Sequence, residues 1–117
     1  MTYQLVDANF VLDHDKDMPI IDVRPAFLYE AGHIPGAKNV ELMATLEEEG
    51  DGAANLAAKV EALGINPDEP VIVYCQAGVM ARQACELLQS QGFTHLNYYG
   101  GSWTDWSSDD SRPVEKP

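Results

Sequence analysis

The stretch VIVYCQAGVMAR, residues 71–82, runs four apolar residues into a cysteine, crosses a short loop with a central glycine, and opens a helix-like pattern. Val71 to Tyr74 reads as a strand. Beyond the loop, Ala81, Ala84, Cys85 and Leu88 recur at helical spacing, so a helix is expected from about Ala81 to Gln91, ended by Gly92. A thiol therefore stands where a strand stops and a helix starts.

Strands and helices alternate on both sides of this stretch. Gln4 to Val6 is a short strand candidate, followed by Asp7 as N-cap of a brief helix through Phe10, Val11 and Leu12. Ile20 to Val23 is a β-branched run bounded by Pro19 and Pro25, which predicts a strand buried on both faces. Ala26 to Ala31 can form one to two helical turns closing at Gly32, and a turn over His33 to Ala37 leads into a short strand, Lys38 to Val40. A helix is expected from Ala53 to Leu63, with Leu56, Ala57, Val60 and Leu63 on one stripe and Gly64 just past its end. His95 to Tyr99 is the last strand. The alternation implies an α/β fold with a mainly parallel sheet and helices on both faces.

In open sheets of this kind the reactive crevice lies beyond the carboxyl ends of the strands. Arg24 and Cys75 both fall at that edge, far apart in the chain, so only the fold can bring them together.

The 117 residues, 45% of them apolar, suit one core, and a single domain over residues 1–117 is expected. Nineteen acidic against seven basic residues give a formal charge of −12, which argues against nucleic acid and anionic membranes as partners. No segment approaches the roughly 20 apolar residues of a membrane span, and the N-terminus carries no basic, apolar leader. A cytoplasmic setting is expected, where Cys75 and Cys85 stay as thiols. The acidic run Glu47 to Asp51 reads as a solvated surface.

The thiolate is the nucleophilic form of cysteine, and the N-terminus of a helix favours it through a partial positive charge and N–H groups that lack intrahelical acceptors. The backbone from Gln76 to Ala81, that is Gln76, Ala77, Gly78, Val79, Met80 and Ala81, can curl around the sulfur. Gly78 supplies a conformation that a side chain would forbid. The same pattern also fits a small buried residue at a strand end, so the local sequence leaves both roles open for Cys75. Cys85 lies on the inner stripe of the helix and reads as core.

Arg24 is either a surface charge or a cation aimed into the crevice, where it would meet an anionic substrate. His33 sits in a Gly-His-Ile-Pro-Gly turn, which suggests a bond to backbone. His14 and His95 have no partner at metal-ligand spacing, so no metal is expected. Trp103 and Trp106 are expected to pack a C-terminal segment onto the domain.

Four blocks, lying in order along nearly the whole chain, resemble the rhodanese domain: Ile21 to Arg24, Tyr29 to Ala37, Val73 to Cys75 with its loop, and Tyr99 to Trp103. The loop and the ending Gly101 to Trp106 are most similar to the catalytic half of the two-domain thiosulfate and 3-mercaptopyruvate sulfurtransferases. The resemblance implies a persulfide on Cys75, loaded from a small anionic sulfur donor and discharged to cyanide, a thiol or a protein sulfur acceptor. It further implies that the N–H groups from Gln76 to Ala81 hold the donor, that Arg24 contacts it, and that no cofactor is needed. Asp22, His33 and Trp103 match positions that look structural. Thiosulfate-specific members carry basic residues just after the cysteine, where this chain has Gln76 and Ala77, so weak use of thiosulfate is expected. A carrier that holds a persulfide for a partner is the second reading. Phosphatases and arsenate reductases of this fold place an arginine after five intervening residues. Arg82 follows Cys75 after six, which disfavours that chemistry.

Overall fold

The computed structural model describes residues 3–117. Five strands form one parallel sheet: β1 (Tyr3–Val6), β2 (Ile20–Asp22), β3 (Lys38–Asn39), β4 (Val71–Tyr74) and β5 (Leu96–Tyr99), in spatial order β1-β5-β4-β2-β3. Among the described residues six helices connect or follow them: α1 (Ala8–His14), α2 (Ala26–Ala31), α3 (Leu42–Glu47), α4 (Gly52–Glu61), α5 (Val79–Ser90) and α6 (Ser102–Trp106). All five strands run the same way, so their carboxyl ends share one edge and the helices after β2, β3 and β4 begin there.

Side chains alternate across a strand, and β4 divides the core accordingly. Val71 and Val73 face α3, α4 and α5 in a cluster with Ile21, Leu42, Leu56, Val60, Ala84 and Leu88. Ile72 and Tyr74 face the other layer, among Val11, Ile20, Tyr99 and Trp106. Helices thus cover both faces, as the sequence predicts.

The caps are local in origin. Asp7 accepts the Phe10 N–H at 3.0 Å and starts α1. Asp51 accepts the Ala53 N–H at 3.0 Å and starts α4. Two expectations need correction. Leu63, expected on the buried stripe of α4, is 42% exposed, because the helix ends at Glu61 and a tight turn through Gly64 carries the chain off the 3.6-residue period. Helix α3 is not foreseen by the sequence reading: Leu42 and Thr45 are fully buried there and the Leu42 N–H bonds the Val23 carbonyl, so tertiary packing makes this helix.

Candidate active site

Register brings Asp22 beside Tyr74 at the last pair of β2 and β4, and the Val23 N–H extends the pairing to the Tyr74 carbonyl at 3.0 Å. Arg24 and Cys75 leave the sheet side by side, as the edge argument requires.

Cys75 is 1% exposed. Its sulfur accepts two backbone N–H groups, Gly78 at 3.1 Å and Ala81 at 3.2 Å. Gly78 has φ +100°, and a Cβ there would stand 2.3 Å from the Gly100 carbonyl oxygen, so the loop closes only with glycine at this position. The helix starts at Val79, two residues earlier than the sequence suggests, which brings its unpaired N–H groups against the loop. Val79 is exposed and Met80 partly buried at this first turn, while Gln76 and Ala77 are exposed on the loop itself. Both N–H donors and the helix N-terminus present partial positive charge to the sulfur.

A second segment fastens the loop from behind, which the sequence reading does not anticipate. The Trp103 N–H bonds the Cys75 carbonyl at 2.9 Å, and both the N–H and the hydroxyl of Thr104 bond the Gln76 carbonyl at 2.9 Å. In a trans peptide the next N–H points opposite to the carbonyl. Pinning these carbonyls outward therefore turns the Gln76 and Ala77 N–H groups toward the inside of the loop. Ser102 completes the fastening: it is fully buried at φ +55°, accepts the Cys75 N–H at 3.1 Å and donates to the Tyr99 carbonyl at 2.8 Å. A serine after two glycines was the available signal, but nothing local tells that its hydroxyl reaches back 27 residues.

Arg24 is not a surface charge: it is 1% exposed and bonds Asp22 through Nε at 3.1 Å and Nη2 at 2.8 Å, with a further bond to the Gly32 carbonyl at 2.7 Å. Its guanidinium stacks 4.7 Å over Trp103, and Tyr74 donates to the same Asp22 carboxylate at 2.6 Å. Desolvation, reinforced by the Asp22 charge, pushes the Tyr74 phenol far up. One Arg24 nitrogen reaches the Gln76 side chain at 3.4 Å, tying this buried network to the loop. Asp22 and Trp103 have the structural places expected of them. So has His33, whose Nδ1 lies 2.8 Å from the Tyr29 carbonyl and Nε2 3.2 Å from Glu115.

Arg82 turns outward to Glu86 at 3.5 Å and is exposed, so it clamps nothing at the sulfur. Cys85 is fully buried, and desolvation pushes its thiol up to about 12. Trp106 is fully buried and donates to the Pro113 carbonyl at 2.8 Å, packing the C-terminal segment onto the domain as expected. Among the described residues no three metal-ligating side chains gather, and no helix is long and apolar enough to cross a membrane. A cavity of about 900 Å³ is lined by Leu5, Phe10, Tyr99 and Gly100 rather than by Cys75; the hydrogen bonds at the sulfur, not a cavity, single out the candidate site.

Residues 7–109 match the family model for the rhodanese-like domain. The chain belongs to this family. It is 31% identical over 117 residues to the 3-mercaptopyruvate sulfurtransferase of Escherichia coli K12, covering 87% of this chain and 41% of that protein. It is 36% identical over 89 residues to the sulfur carrier protein TtuD of Thermus thermophilus, covering 74% of this chain and 31% of that protein. The chain thus spans less than half the length of these relatives. The crystal structure of SseA from Escherichia coli, described as a 3-mercaptopyruvate sulfotransferase, superposes with a TM-score of 0.82 at 27% identity, over 98% of this chain and 52% of that one. The rhodanese-like chain therefore shares its fold with a domain of a larger enzyme.

Proposed function

We propose that this rhodanese-like chain is a sulfurtransferase in which Cys75 carries the sulfur. The observation that supports the reading most directly is the Cys75 sulfur accepting the Gly78 and Ala81 N–H groups at the start of a helix. A nucleophile held among N–H donors suits both a thiolate and the anions that form on it.

The thiolate attacks the outer sulfur of a donor such as thiosulfate; the donor S–S bond breaks, sulfite leaves with the electron pair, and Cys75 becomes the persulfide Cys–S–S⁻. Cyanide or a thiolate then attacks the outer sulfur, the persulfide bond breaks, and Cys75 returns as thiolate while thiocyanate or the acceptor persulfide departs. The N–H groups from Gln76 to Ala81 hold the terminal sulfur and the donor anion. Arg24 acts on this step indirectly, by bracing the loop through Gln76 and Trp103. Arg24 is paired to Asp22, Arg82 to Glu86 and Arg112 to Asp105, which fits weak use of the thiosulfate dianion.

Residues 1–117 function in this reading as one domain, in the cytoplasm, where two free cysteines remain reduced. The name of the Thermus relative favours a second form of the same chemistry, in which the persulfide is held for a protein acceptor.

Intact-protein mass spectrometry after incubation with thiosulfate or 3-mercaptopyruvate tests the proposal. One added sulfur atom on Cys75, removed by cyanide, is the expected result and ranks the donors. No adduct from either donor or from inorganic polysulfide, with Cys75 still open to alkylation, defeats it.

A further inference from the structure

Exposed apolar side chains stand around the edge where Cys75 lies. Met43 is 50% exposed, Phe27 70% and Val79 78%. Each occupies the first turn of the helix that follows β3, β2 or β4, three neighbouring strands whose carboxyl ends share this edge. Hydrogen bonds link the three helix starts. The Ala26 N–H donates to the Glu41 carboxylate at 2.8 Å, joining α2 to α3, and Arg24 donates to the Gln76 side chain at 3.4 Å, joining the end of β2 to the loop before Val79. These side chains are therefore parts of one rim rather than scattered surface residues.

The charge of the rim is one-sided. Glu30 follows Phe27 by three positions and Glu47 follows Met43 by four, so an exposed carboxylate shares the helix face of each apolar side chain. The arginines nearby already have anionic partners, Arg24 in Asp22 and Arg82 in Glu86. Exposed Lys16 and Lys38 stand just before β2 and at the start of β3, on the opposite, amino edge. Among the described residues a small dianion meets no unpaired arginine on this rim, whereas an apolar segment with basic flanks complements both of its features.

Resting on the sulfur-transfer reading of Cys75, we propose that the rim docks a protein partner whose reacting thiol lies between apolar residues and basic flanks. The partner's thiol gives its proton to solvent and its thiolate attacks the outer sulfur of the Cys75 persulfide. The persulfide bond breaks, Cys75 leaves as thiolate, and the partner carries the persulfide away.

Short peptides with a central Leu-Cys-Leu, flanked by lysines or by glutamates, serve as acceptors for protein loaded from inorganic polysulfide, with cyanide as the small acceptor. At low salt the lysine peptide should show a KM lower by about tenfold, a gap that narrows as salt rises. The double variant Phe27→Ser with Met43→Ser should raise that KM several-fold, by roughly the loss of two apolar contacts, while cyanide turnover is unchanged. Glu30→Lys with Glu47→Lys should reverse the preference. Equal KM values for the two peptides, or a lysine peptide indifferent to the apolar variant, overturn the docking proposal. If Cys75 takes no sulfur at all, the sulfur-transfer reading falls instead, and serine-for-cysteine peptides followed by fluorescence anisotropy decide the rim: tighter binding of the lysine form supports docking, and equal binding refutes it.

Discussion

Cys75 and Cys85 are both free and both almost fully buried, yet the structure gives their sulfurs different surroundings. Cys75 ends a strand, and two backbone N–H groups donate to its sulfur. Cys85 sits among Leu56, Val60 and Leu88 on the inner stripe of α5, where desolvation pushes its thiol up to about 12. Burial is common to both. What differs is whether backbone donors face the sulfur, and that depends on a left-handed glycine and on a strap from another part of the chain.

The sharpest way to break this contrast is to replace each thiol in turn. Cys75→Ser should lose sulfur transfer by at least ~10³-fold, since it removes the nucleophile, while thermal unfolding changes little. Full activity in that variant would end the proposal. Gly78→Ala tests the donors rather than the sulfur: the added Cβ runs into the Gly100 carbonyl, and loss of the aligned N–H groups should lower kcat by about 10²-fold. An unchanged kcat would show that the left-handed turn is dispensable.

Arg24→Ala separates bracing from substrate contact. It leaves the buried Asp22 carboxylate without its partner and should cost about 3–5 kcal/mol in denaturant unfolding. A stable variant with only a raised donor KM would restore the substrate-contact role. Thr104→Val removes the hydroxyl from the Gln76 carbonyl and should lower kcat several-fold, on the order of 1 kcal/mol, with Thr104→Ser restoring it.

The smallest effect on activity is expected at the other thiol. Cys85→Ala should turn over within about twofold of the parent, since the side chain lies away from the sulfur chemistry. Its signature is in stability against pH. The folded state raises the Cys85 thiol from its ordinary value of 9.0, so its contribution is fully present below pH 9 and is lost as pH climbs toward 12. Urea unfolding across that window should show a flatter alkaline decline in Cys85→Ala, superimposed on the decline from Tyr74 and Tyr99, whose phenols burial also pushes up. In the parent protein, alkylation between pH 7 and 9 should label Cys75 and spare Cys85; equal labelling would erase the contrast between them.

Much of this was legible in the residues themselves. Strand, loop and helix around Cys75, the buried run at Ile20, the cap at Asp7 and the stop at Gly64 are short-range patterns, written in side-chain size, period and backbone freedom. The need for glycine at position 78 could be read in the same way. The stripe of α5 is legible at Ala81, Ala84, Cys85 and Leu88, all of which are buried. That of α4 fails at Leu63, where the turn ends the period.

Tertiary structure alone decided where the arginines point and how the loop is held. Sequence places Arg24 at the edge, but its direction follows from Asp22, Gly32 and Trp103 converging on one buried guanidinium, an arrangement whose parts lie up to 81 positions apart. Ser102 and Thr104 reach the cysteine loop only because β5 lies against β4. Local free-energy preferences choose each strand and helix. The competition for buried hydrogen-bond partners, which no short window of sequence contains, chooses where the polar groups point.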